Sequence, residues 1–327
     1  MGLTLLPMIW LDPADPGQRG AVFALLFTHA LAATVQDVAI DAWAIAATPT
    51  GEHGRLNASM AIGKYVGRWL FGAGVLLVWA SLSRPVVIGG LIGAIWVTGA
   101  MALLGRDVPP DGARLGERLR TFGVTLRAAA LQWTTWAGVA VALMSGAAFE
   151  AAGAMAGPMM IAHGYAAQDV GWWRSGWVVA MVAGAAFGGR LSDRWGHGRT
   201  VGVLVVVVAA MVLGVAGAAA WGDGLAVAVS LTVLYLGIGL FIAASYALFM
   251  DLTDPRIGGT QFSAYMGATN GCEAWAGLAA GAIAGARGCP VALVAAAAVS
   301  LAALPLLAML RVRHATPARG AVVRQRK

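Results

Sequence analysis

The sequence predicts an all-α fold, a polytopic membrane helix bundle with about nine full transmembrane helices. Hydrophobic residues make up 59% of the chain and charged residues 11%, against roughly 45–50% and 25% in soluble domains. The mean hydropathy of +0.76 places this excess in lipid. Apolar runs of about 20 residues recur throughout, the length a helix needs to cross a hydrocarbon core of roughly 30 Å. None shows the alternation of a membrane barrel, so the spans are read as helical.

Glycine, proline and charge delimit each element. Residues 1–11 are apolar but too short to span, and "MGLTLLPMIWLDPADPG" lacks the basic start of a cleavable signal. Full helices are expected at 20–47, 57–81, 85–105, 129–157, 172–191, 200–221, 224–250, 262–286 and 289–310. The polar insert "RDVPPDGARLGERLRTFGVTLR", 106–127, separates residues 1–105 from 128–310, and 311–327 reads as a disordered basic tail.

Lys and Arg set the orientation. The insert holds Arg106, Arg114, Arg118, Arg120 and Arg127, and the tail holds Arg311, Arg313, Arg319, Arg324, Arg326 and Lys327. Arg190, Arg194 and Arg199 surround one tight loop, and Arg55 and Arg256 mark two more on the same side when helices alternate. The opposite loops carry only Arg19, Arg84, Arg174 and Arg287. The positive-inside rule therefore puts the insert and tail in the cytoplasm of a cell inner membrane. The net charge of +7 is then topological. Nucleic acid binding would need a soluble basic face or a recognised module, and neither is present. Cys272 and Cys289 are too few for a disulfide framework or a CxxC site and are expected to pack.

The chain repeats itself. Sliding "AIAATPTGEHGRLNASMAIG" (44–63) onto "MDLTDPRIGGTQFSAYMGAT" (250–269) superposes Pro49 on Pro255 and Met60 on Met266 at one offset of 206 residues. Each copy is a helix, a short polar turn near a proline, and a helix with small residues. A spacing of about six helices is what a parallel duplication of two six-helix halves produces. By the same offset, counterparts of helices 129–157 and 172–191 would precede residue 1, and residues 1–11 would be the rear half of a third helix.

"GGRLSDRWGHGRT", 188–200, resembles the loop signature G-x-x-x-D-R-x-G-R-[RK] of the major facilitator superfamily. Gly189, Asp193, Arg194, Gly196 and Arg199 match, whereas His197 and Gly198 depart from the usual basic pair. "QDVAIDAWAI" and "DLTDPRIGGTQFSAYM" are similar to the branch of AmpG muropeptide permeases and acetyl-coenzyme A transporters. The resemblance implies two six-helix bundles around a central cavity with alternating access, lacking about the first two and a half helices. Residues 1–105 would form the partial first bundle, 106–127 the central loop and 128–310 the second bundle. The chain is expected to be a monomeric, proton-coupled secondary transporter of a polar or anionic solute; the resemblance is silent on which, and a muropeptide, an acyl or nucleotide metabolite and a siderophore all stay open. A helix bundle that keeps this fold without transporting is the alternative, and whether Met1 is the true start stays open. The glycines of the loop allow close helix approach, and Asp193 is placed to cap backbone N–H groups and pair with an arginine.

Intramembrane charges are the candidate site. Each costs about 2.5–3.5 kcal/mol near the bilayer centre, so pairing or a watery path is expected. Asp37 and Asp41 lie four residues apart on one helix, as do Lys64 and Arg68 on the next. If the two helices form a facing antiparallel hairpin, the registration predicts ion pairs Asp37 with Arg68 and Asp41 with Lys64. These would be either structural clamps or a coupling site, with Asp37, beside Gln36, the preferred coupling residue. By the offset, the second half has no ionic equivalent. It offers Tyr246, Asn270 and Glu273 near mid-membrane, with Glu150 expected at the cavity mouth and Glu273 a protonation candidate. Trp43 beside Lys64 or Arg68 would suit an anionic or sugar-bearing compound. His29 is expected to pack, and the tryptophans of "GWWRSGW", 171–177, to form an aromatic belt, with sugar stacking the lesser alternative. The five histidines are scattered, and phosphate-binding or nucleophile motifs are absent. No metal, cofactor or catalytic residue is expected.

Overall fold

A computed structural model describes residues 1–12, 15–74, 82–102 and 115–314. Helix α1, Gly2–Leu5, runs into a 3-10 turn at Leu6–Ile9. Then come α2, Arg19–Ala47, α3, His53–Arg68, α4, Arg84–Ala102, and α5, Leu115–Leu131. The remainder is α6, Trp133–Met144, α7, Ala147–Ala162, α8, Ala167–Trp195, α9, His197–Trp221, and α10, Gly224–Asp251. It closes with α11, Gly258–Arg287, α12, Cys289–Ala302, and α13, Leu304–His314. No strand occurs among the described residues.

Local chemistry sets the turns. Gly196 and Gly288 take positive φ values of 86° and 88° between consecutive helices, letting the chain reverse within one residue. Asp223 caps α10, its Oδ1 accepting from the N–H groups of Leu225 at 2.9 Å and Ala226 at 3.4 Å.

The apolar core lies in the second half. Val205, Val208 and Val212 of α9 pack with Leu231 and Leu234 of α10, and Ala148 and Ala152 of α7 with Leu293 and Ala297 of α12. The largest interface joins α8 to α10, where Gly184, Gly188 and Gly239 bring backbone against backbone. Helix α3 packs on α8 and α10, and α2 packs on the start of α11.

Six segments among the described residues are long and apolar enough to cross a membrane: Arg19–Ala47, Arg84–Met101, Trp133–Ala162, His197–Trp221, Gly224–Asp251 and Cys289–Leu310. Helices α3, α8 and α11, also expected to span, fall outside this set: α3 is only 16 residues long, and α8 and α11 carry polar residues, some of which wall the cavity described below. The expected helix 57–81 begins at His53 and gives way after Arg68 to a π-helical turn over Trp69–Gly74; its end lies outside the described residues. Residues 103–114 and the tail from 315 also lie outside them.

Two expectations need correction. The second part of the polar insert is helical, since α5 extends from Leu115. The helix expected at 129–157 starts after an extended Gln132, breaks at Ser145–Gly146 and continues to Ala162. Neighbouring side chains make that break tolerable at depth. Trp275 Nε1 donates to the Leu143 carbonyl at 3.0 Å, and Ser300 Oγ donates to the Met144 carbonyl at 3.3 Å while accepting from Ala148 N–H at 2.8 Å.

Candidate functional site

A cavity of about 530 Å³ opens where α3, α7, α8, α10 and α11 meet. Its charges are sorted by wall. Lys64 and Arg68 of α3 and Arg174 of α8 lie on two helices that pack together; Glu150 of α7 and Glu273 of α11 lie on another packed pair. No ion pair within 4 Å joins any of these five to a described residue. Tyr246 and Asn270 also line the space. Trp177 stacks on Tyr235 at a centroid distance of 4.7 Å and 6° between planes, its Nε1 donating to Thr232 Oγ1 at 3.1 Å. Trp177 is fully buried, so the stacked pair packs into the cavity wall.

The aspartates of α2 are elsewhere, which corrects the expected ion pairs. Asp37 is exposed and shares a shallow recess with Gln36, Ala33, Thr34 and Ile40. Asp41 is buried, but neither Asp41–Lys64 nor Asp37–Arg68 forms an ion pair. The reason is partner choice. Gly259 of α11 lies against Val38 and Ala42 of α2, whereas α3 turns to α8 and α10, so the two helices do not share a packed face. Trp43 does not line the cavity, whereas Glu150 lines it together with Glu273. His29 Nδ1 meets Thr4 Oγ1 at 3.0 Å, a packing contact.

The loop at 188–200 joins the two parts of the chain. A Cβ on Gly54 or on Gly189 would overlap the other's carbonyl oxygen, so α3 and α8 cross with their backbones in contact. One turn on, Asp193 caps α3: Oδ1 accepts from Gly54 N–H at 2.7 Å and Oδ2 from Arg55 N–H at 3.0 Å. Arg55 Nε lies 3.6 Å from the same carboxylate. Arg194 and Arg199 are exposed. His197 is buried between two acids, Nδ1 2.5 Å from Asp251 Oδ2 and Nε2 3.2 Å from Asp193 Oδ1. His53 Nδ1 meets the other Asp251 oxygen at 3.0 Å. Outside the spans, the Arg256 guanidinium bonded to Asp254 holds that carboxyl below its ordinary value.

Sequence reasoning missed His53, Asp251, Arg174 and Trp177. His197 had a signal, since it replaces an expected basic residue, whereas Arg174 and Trp177 were hidden in what read as a membrane-edge cluster. Cys272 and Cys289 are free thiols, and no metal-binding group occurs among the described residues.

Apolar spans around a polar, charged cavity are the arrangement of a multi-pass membrane transporter. A sequence model of the Major Facilitator Superfamily matches residues 1–272 and again 139–326, and the chain belongs to that family.

Proposed function

We propose that the chain is an AmpG-like, proton-coupled secondary transporter of the cell inner membrane, acting as a monomer with its central segment and tail in the cytoplasm. The observation that supports this reading is the cavity whose basic and acidic walls form no ion pair within 4 Å among the described residues. Charges that do not neutralise each other are available to a solute. Lys64, Arg68 and Arg174 would take its anionic end. Glu150 and Glu273 would face an amine or exchange a proton. A muropeptide carries both carboxylates and amines, and so fits this layout better than a purely anionic acyl or nucleotide metabolite. Asp37 and Asp41 are the second candidate for coupling, because Asp41 is buried and forms no ion pair within 4 Å among the described residues.

The test is muropeptide uptake into proteoliposomes under an imposed proton gradient. Accumulation is expected and should collapse with a protonophore. Lys64→Gln or Arg68→Gln should raise KM on the order of tenfold. Glu273→Gln should abolish gradient-driven accumulation while sparing counterflow exchange; the same result from Asp37→Asn, with Glu273→Gln normal, would move coupling to α2. A helix bundle that keeps the fold without transporting would show neither accumulation nor exchange.

A further inference from the structure

Four helix ends meet around His197, away from the solute cavity. His197 opens α9, Asp193 lies in the last turn of α8, Asp251 ends α10 and His53 opens α3. Both ring nitrogens of His197 face carboxylate oxygens. An ionised carboxylate only accepts, so both contacts are hydrogen bonds only when both nitrogens carry protons. The imidazolium is therefore the form that fits. His53 differs: its Nδ1 meets Asp251, but its buried Nε2 has no partner among the described residues, so a second proton there would have no acceptor. The two rings stack at 6.3 Å, and the remaining charges close by are Arg55, on Asp193, and Glu52, paired to Arg55 at 2.8 Å.

Asp193 is shared. The Oδ1 that receives His197 also receives Gly54 N–H, the contact fastening α3 to α8. We propose that His197 is a proton-operated lock, its imidazolium holding Asp193 and Asp251 together so that α3 is fastened to α8, α9 and α10, and its deprotonation releasing that end of the bundle. A neutral imidazole keeps one donor and turns a lone pair toward the other carboxylate, converting an attraction into a repulsion. The sign follows: the lock is closed at low pH and loosens as pH rises. By the positive-inside orientation this end faces the cytoplasm, so an alkaline cytoplasm would free the carrier and an acidic one would hold it. An arginine at this position would stay charged at every physiological pH. Histidine makes the fastening conditional.

The test needs no solute. Amide hydrogen exchange at Gly54 and Arg55, corrected for the intrinsic pH dependence, is followed in the purified full chain from about pH 6 to about pH 9, a range that brackets histidine titration. Protection is expected to fall on the order of tenfold as pH rises, the loss of a charge-assisted bond. His197→Arg should stay protected throughout, and His197→Gln should be exposed even at the acidic end. His53→Gln should retain the pH dependence. Constant protection in the unaltered chain overturns the proposal, as does a pH dependence that survives in His197→Gln or disappears in His53→Gln.

Discussion

At the crossing of α3 and α8, two residues without side chains set the distance between parts of the chain that are far apart in sequence. Because Gly54 and Gly189 each occupy the space a Cβ would need, Gly189→Ala must push the helices apart or strain them. Such overpacking costs about 1–3 kcal/mol, and separation would also stretch the Asp193 cap. A lower unfolding temperature in detergent and faster exchange at Gly54 are the expected outcomes; unchanged values for both would show that the crossing has slack. Gly189 and Asp193 were legible because their spacing follows a recognisable loop pattern. Their partners were not. His53 and Asp251 are 198 residues apart, and nothing local marks either as half of a contact. Tertiary packing alone joins them.

Among the elements, the interruption between α6 and α7 shows how backbone polarity survives in lipid. Ser300 serves both sides of it, donating to one carbonyl and accepting from one N–H. Removing that hydroxyl leaves two backbone groups short of a partner, each costing about 1–3 kcal/mol when buried. Ser300→Ala is therefore expected to destabilise the fold by roughly 2–6 kcal/mol, measured by thermal unfolding, whereas Ser300→Thr should retain most of the stability. The apolar run from 129 onward was easy to read as helix, but its break was not, because residues on α11 and α12 make the break affordable. The same limit misled the pairing of α2 with α3. Residue numbers fix depth in a hairpin, yet the neighbour each helix faces is decided by close packing, here by Gly259 against Val38 and Ala42.

Across the whole molecule, composition announced a helical membrane protein, and the charged residues inside it announced a polar interior. Which charges share that interior required three dimensions: Lys64, Arg68, Glu150 and Glu273 converge, while Asp37 and Asp41 do not. The sorting of charge by wall has a mechanical consequence. Opposite charges across a gap attract with an energy that falls as the gap widens, and mobile ions weaken that pull. With Glu150 and Glu273 ionised, an empty cavity would act as a spring drawn inward by its own field, and a solute with both kinds of charge would relax it by meeting each wall. Raising salt should broaden the distance distribution between spin labels on α3 and α11, whereas a distribution indifferent to salt would mean that packing alone sets the gap. Such a spring resists opening most when nothing is aboard, so an unloaded carrier is disinclined to cycle and leak.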